Sequence, residues 1–345
     1  MTRCFFILSV FAYLILCQQT QAEESTSRKI ACLEQAKQIN EQDVKKALKS
    51  ESELNKDGGY NANVSVIDCF AVMEYHYTGG RHVHQPIKFR MLLPKKVQPD
   101  KKYPLILWLH GSGECGDDNK RQLAHLQSAI ETIAGNNQQD FFIIATQSPY
   151  KTDWYASVSS EGKGDAPITI AEEILDAVIQ EYPIDTNKLG VVGFCSGGSA
   201  AWKFVSEHPK RFASMAAFST SPPASPQNYL QTAIWTFNNK DDSIPWQPME
   251  RFIDMINASG GNAYVTIKEH GGHNTWKNAL QTEKVLDWML LQNLQQIGYP
   301  AGITICRWTF RQFMLMFGVP IVLLLLLQII SVAPSLMGYY RRKIQ

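Results

Sequence analysis

Residues 188–202 read KLGVVGFCSGGSAAW. A short apolar run rich in β-branched residues, Leu189 to Val192, leads into Gly193-Phe194-Cys195-Ser196-Gly197-Gly198 and then into a helix-forming segment. The pattern predicts a strand, a sharp turn and a helix, with a nucleophilic side chain at the turn. A residue lifted onto so tight a corner needs small neighbours two positions before and two after it, or strand and helix collide. Cys195 has Gly193 and Gly197 at those places, whereas Ser196 would have Phe194 two residues before it. The nucleophile this corner presents is therefore sulfur.

GFCSGG resembles the G-x-S-x-G elbow of the α/β-hydrolase superfamily, with Cys in place of Ser as in its dienelactone-hydrolase-like members. Residues 109–119, LHGSGECGDDN, follow a continuous apolar run and resemble the LHG-x-GE-x-GDDN segment of the esterase and prolyl-oligopeptidase-like branch. A glycine-rich turn after a strand can aim backbone N–H groups inward. The Ser112 amide and the Ser196 amide, just after the nucleophile, form the natural oxyanion-hole pair. His110 lies on the wrong loop for a catalytic base and reads as a histidine that fixes this turn.

Residues 235–245, WTFNNKDDSIP, resemble the family's F-H-G-x-x-D-x-x-V-P segment, which supplies the triad acid. The loop is one residue short of that pattern. Counting back from Ile244-Pro245 reaches Asp241; counting forward from the missing glycine reaches Asp242. Asp241 is the first choice and Asp242 the alternative. Residues 268–276, KEHGGHNTW, match a G-H-x-x-W segment at His273, with His270 as the fallback base. The resemblance thus implies a Cys195-Asp-His273 triad in the chain order of this superfamily. The helix start at Ser196 and the nearby imidazole are expected to lower the thiol's pKa and populate the thiolate.

Around these motifs, strand and helix signals alternate. A hairpin is predicted from residues 70–77 and 87–93, with a turn at Thr78-Gly79-Gly80. Buried strands are predicted at 105–109, 141–146, 189–194, 212–218, 233–237 and 263–267, and helices at 168–180, 199–207, 248–258 and, as one long final helix, 276–292. This pattern predicts an α/β-hydrolase fold with a mainly parallel sheet of about eight strands and helices on both faces.

With 345 residues there is room for one large domain with appendages at both ends. Residues 1–22 read as a signal peptide, with Arg3 before an apolar core and a Thr20-Gln21-Ala22 cleavage site. Residues 23–67 form a polar segment with a helix expected over 28–49, and 68–295 the catalytic domain. Residues 296–312 form a juxtamembrane linker. Residues 313–337 hold no charge and would span about 37 Å as a helix, enough to cross a hydrocarbon core of about 30 Å. The basic tail 338–345, with Arg341-Arg342-Lys343, points to a cytoplasmic C-terminus. The catalytic domain is then expected on the far side of the membrane, in a periplasmic, extracellular or lumenal space. There four of Cys32, Cys69, Cys115, Cys195 and Cys306 could pair, leaving Cys195 as the free thiol.

Lys plus Arg number 33 against 32 Asp plus Glu, so nothing favours a nucleic-acid partner. The histidines and cysteines show no paired ligand spacing, so no metal is expected, and no dinucleotide fingerprint points to a cofactor. The expected activity is hydrolysis of a small-molecule ester, lactone or thioester, or of a peptide, through a thioacyl enzyme. The competing reading is an inactive hydrolase-fold ectodomain used for binding or adhesion.

Overall fold

The computed structural model describes residues 30–37, 66–76, 86–134, 140–149, 153–156 and 165–296. The signal peptide, the Thr78-Gly79-Gly80 turn, Cys306, nearly all of the juxtamembrane linker, the apolar span at 313–337 and the basic tail lie outside these residues. Among the described residues no helix is long and apolar enough to cross a membrane.

The strands are β1 (Ile30–Glu34), β2 (Ala71–His76), β3 (Pro86–Leu92), β4 (Tyr103–Leu109), β5 (Phe142–Ala145), β6 (Ile184–Phe194), β7 (Ser214–Phe218), β8 (Ala233–Asn239) and β9 (Asn262–Lys268). They make one nine-stranded sheet in the order β1-β2-β3-β5-β4-β6-β7-β8-β9. β1, β2 and β3 run antiparallel, and from β5 to β9 every neighbour is parallel. The sheet exceeds the expected eight strands because β1 falls where a helix over 28–49 was expected. Ile30-Ala31-Cys32 pair with Tyr75, Glu74 and Met73 instead. Edge pairing with β2, and burial of Ile30, override a helix-prone local composition.

The parallel strands are apolar on both faces because both faces are covered. Along β4, Tyr103, Leu105, Leu107 and Leu109 face one core and Ile106 and Trp108 the other, the period of two that a strand imposes. The first core packs against helices α1 (Pro167–Glu181), α2 (Ser196–Glu207) and α3 (Gln247–Ala258). The second packs against the helical turns at Arg121–Ala129 and the C-terminal helical segments.

The long final helix expected over 276–292 is broken into pieces. Thr275–Lys277 is one helical turn, Asn278–Thr282 winds wide so that the Glu283 amide reaches the Asn278 carbonyl (2.9 Å), and α4 covers Val285–Leu290. Lys284, at φ 50°, separates the last two. A left-handed residue cannot continue a right-handed helix.

Cys195 is a free thiol, as expected, but the pairing expected of the others is not seen among the described residues: Cys32, Cys69 and Cys115 are free thiols as well. Burial and the neighbouring Asp68 charge push the Cys69 thiol up to about 12, which leaves it unreactive.

Candidate active site

β6 ends at Phe194 and α2 begins at Ser196, so one residue, Cys195, carries the whole reversal. Its backbone stands at φ 53°, ψ −115°, a conformation that glycine adopts freely and a side chain does not. Neighbouring contacts hold it there. The Cys195 amide donates to the Phe218 carbonyl at the end of β7 (2.9 Å), and its carbonyl accepts from the Ser199 amide (3.0 Å). The corner closes only because both flanking residues lack a Cβ. One on Gly193 would lie 2.1 Å from the Gly197 carbonyl oxygen, and one on Gly197 would lie 2.2 Å from that of Leu109.

The thiol is half-buried, and the backbone amides of Ser196 and Ser112 stand close enough to its sulfur to favour the charged form. The two amides expected to form the oxyanion hole therefore both lie at Cys195. Ser112 lies in the turn Ser112–Glu114 after β4, and its side is open to solvent. That turn is fixed from beneath by His110, which is fully buried. The Ser148 amide donates to His110 Nε2 (2.9 Å), so Nδ1 must carry the proton that it gives to the Gly111 carbonyl (2.7 Å). Burial holds this imidazole's pKa down, consistent with a neutral structural ring. The GDDN residues buttress the same turn. Asp118 Oδ1 accepts from the Lys120 and Arg121 amides and from Gln147 Nε2, which also donates to the Glu114 carbonyl (3.0 Å).

His273 follows β9, and its Nδ1 lies 3.0 Å from both carboxylate oxygens of Asp242. Asp241, the first choice for the acid, is not on the imidazole. Its oxygens accept from the Gly271 amide (3.1 Å) and the Gly272 amide (2.8 Å). The correction has a local cause. The turn after β8 brings the Asp242 amide back to the Asn239 carbonyl (3.3 Å), and Asp242 Oδ1 accepts from the Ile244 amide (3.1 Å), so the missing residue falls between Asp242 and Ile244. The Asp242 side chain is 0% exposed. Burial alone would raise its pKa, but the Ile244 amide, the His273 ring and the Ser219 hydroxyl outweigh it and the net shift is downward. His270, the fallback, has a side chain 90% exposed and faces Asp241, not Asp242, at 3.7 Å.

The thiol itself contradicts the expected depression. Burial pushes the Cys195 pKa up, and the Glu114 and Asp242 charges push the same way; the two amide donors oppose them and lose. The resting Cys195 side chain is therefore a thiol at neutral pH.

Several residues at the site had no role in the sequence reading. Ser219, fully buried at φ 48° and one residue after the carbonyl that holds Cys195, donates to the His273 carbonyl (3.0 Å) and shares a hydrogen bond with Thr275 Oγ1 (2.9 Å). A lone serine at a strand end carries no signal that would have found it. Phe194 packs on the His273 ring (5.2 Å between centroids), on Trp276 (4.6 Å) and on His125 (4.7 Å). Glu114 Oε1 stands 3.1 Å from His125 Nε2 but out of line for a hydrogen bond, and both side chains are largely buried. Among the described residues no group of three His, Cys, Asp or Glu side chains could hold a metal ion.

The chain resembles a "Putative carboxymethylenebutenolidase" of Yersinia pestis, 24% identical over 137 residues that make up 34% of this chain and 51% of the relative. Its fold is similar to that of a thermostable esterase (TM-score 0.57, 24% identity, covering 66% of this chain and 64% of that one). It is also similar to that of a ferulic acid esterase (TM-score 0.50, 17% identity, covering 63% and 96%). The chain spans about half the length of the curated relative and less than two thirds of the thermostable esterase. These likenesses show the α/β-hydrolase fold. The model of the esterase family, described as "Putative esterase", matches residues 81–289, more than half of the chain and all four motif-bearing segments, and the chain belongs to that family.

Proposed function

We propose that the protein is an acyl hydrolase in which Cys195 is the nucleophile, His273 the base and Asp242 the acid that orients it. The observation that carries this reading is the convergence of the Ser112 and Ser196 amides on a sulfur held at a strained corner. Such donors have little use in a merely structural turn and great use where negative charge develops, typically about 3 kcal/mol each in the transition state.

Because the resting group is a thiol, His273 acts during attack rather than before it. Nδ1 keeps its proton against Asp242, so Nε2 is the nitrogen free to accept one. As the sulfur–carbon bond forms, the thiol proton passes to Nε2 and the carbonyl oxygen takes its charge to the two amides. Collapse breaks the bond to the leaving oxygen or sulfur, which takes that proton from His273. Water then attacks the thioacyl carbon with His273 as base, and the sulfur leaves with its proton restored. Thiolate departs from a tetrahedral intermediate more readily than alkoxide, so esters with good leaving groups, lactones and thioesters are the substrate class, ahead of unactivated amides. The exposed Ser112 side admits a small-molecule acyl group. The catalytic domain is held outside the cytosol by the apolar span at 313–337.

The test compares hydrolysis of a short-chain chromogenic ester by the wild type and by Cys195→Ala. The variant should lose at least about a hundredfold in kcat/KM. Equal rates would remove the mechanism and turn the reading to a ligand-binding hydrolase-fold domain.

A further inference from the structure

Two adjacent carboxylates follow β8, and they take hold of two different parts of the histidine loop. Asp242 holds the ring. Asp241 holds the backbone just before it, one oxygen to each of the successive amides of Gly271 and Gly272. Those glycines stand at φ 140° and 53°, conformations open to glycine and therefore easily left again when nothing pins them. The pinning is reinforced from the same strand end. Asn239 Nδ2 donates to the Gly272 carbonyl (2.8 Å), and the Lys240 amide extends the β8–β9 ladder to the Lys268 carbonyl (2.8 Å). Asn239 also lies against Gly271 so closely that a Cβ there would come within 2.6 Å of its amide nitrogen. His273 is the next residue after this double-glycine hinge.

We propose that Asp241 is a positioning residue: it clamps the Gly271–Gly272 hinge and so fixes where the His273 ring stands, while Asp242 fixes how the ring is turned. This rests on the reading of His273 as the base. A ring displaced by an ångström loses its line to the nucleophile, and such misplacement carries a large rate cost without any change in the groups that bind substrate. The clamp therefore acts on kcat and leaves KM alone. Its loss also differs in kind from loss of Asp242, because Asp241 holds the Gly271 and Gly272 amides rather than the His273 ring and sets no tautomer there.

The experiment uses the full chain with Asp241→Asn, Asp241→Ala, Asp242→Asn and His270→Ala, assayed on the same chromogenic ester, with amide hydrogen exchange followed at Gly271 and Gly272. An asparagine oxygen can take only one of the two amides, so the loss should be graded: about threefold in kcat for Asp241→Asn and about tenfold for Asp241→Ala, with KM within about twofold. The two glycine amides should exchange about tenfold faster in Asp241→Ala. His270→Ala should keep wild-type turnover, and Asp242→Asn should fall by about a hundredfold or more. Wild-type kcat in Asp241→Ala beside a Cys195-dependent wild type would overturn the clamp alone. Unchanged glycine exchange would do the same. Absence of Cys195-dependent turnover in the wild type would remove both the clamp and the reaction it serves.

Discussion

At the scale of the residue, the decisive atom is the Cys195 sulfur, and its environment works in two directions. Burial beside Glu114 and Asp242 raises its pKa, while two amides wait to receive charge. The resting site therefore disfavours a thiolate at sulfur, while in the proposed reaction the same two amides stabilise an oxyanion beside it. This sets a pH dependence whose sign follows from the direction of the shift. A thiol raised above its ordinary pKa is protonated at neutral pH and gains thiolate only as the pH climbs toward and past that value. Alkylation of Cys195 by iodoacetamide should accelerate steadily between about pH 7 and 9 without levelling off. A plateau below pH 7 would mean that the thiolate is already formed at rest. The sequence reading missed this because a neighbouring histidine and a helix start, both visible in the sequence, lower a thiol's pKa. The burial that overcomes them is visible only in the fold.

At the scale of the element, the elbow is the best-determined piece of the chain. Gly193 and Gly197 are legible from spacing alone, and the contacts explain why: the strand backbone, the helix backbone and the end of β4 meet with no room for a methyl group. Gly193→Ala should destabilise the fold by about 3 kcal/mol or more, or prevent folding. A folded variant with unchanged thermal stability would contradict the packing described for the corner. The central strands and α1 to α3 were equally legible, since apolar runs and helical spacing are local signals. The pieces that were not legible depend on partners distant in sequence. β1 exists because β2 offers it an edge, and the last helix breaks because Lys284 takes a left-handed turn that no residue preference demands. Asp241 and Asp242 could not be separated by counting because a one-residue gap has no address until the Asp242–Ile244 turn is seen.

At the scale of the whole molecule, the sheet brings together loops that the sequence leaves far apart. β4, β6, β8 and β9 all point the same way, so the oxyanion turn, the elbow, the two carboxylates and the histidine emerge on one edge. That is the reason four short motifs could be read as a single site. The proposed membrane tether of this domain is the uncharged apolar stretch at 313–337. The full chain should therefore sediment with membranes, and removal of residues 313–345 should release an equally active soluble protein; a full chain found wholly in the soluble fraction would contradict the tether.

The most direct test of the account is to look for the acyl group itself. Brief exposure to p-nitrophenyl acetate, an acid quench and peptide mapping should find acetate on the peptide carrying Cys195. It should accumulate in His273→Ala, where water is no longer activated, and be absent from Cys195→Ala. Turnover with the acetate on another residue, or with none on Cys195 in any variant, would contradict the claim that this sulfur carries the acyl group.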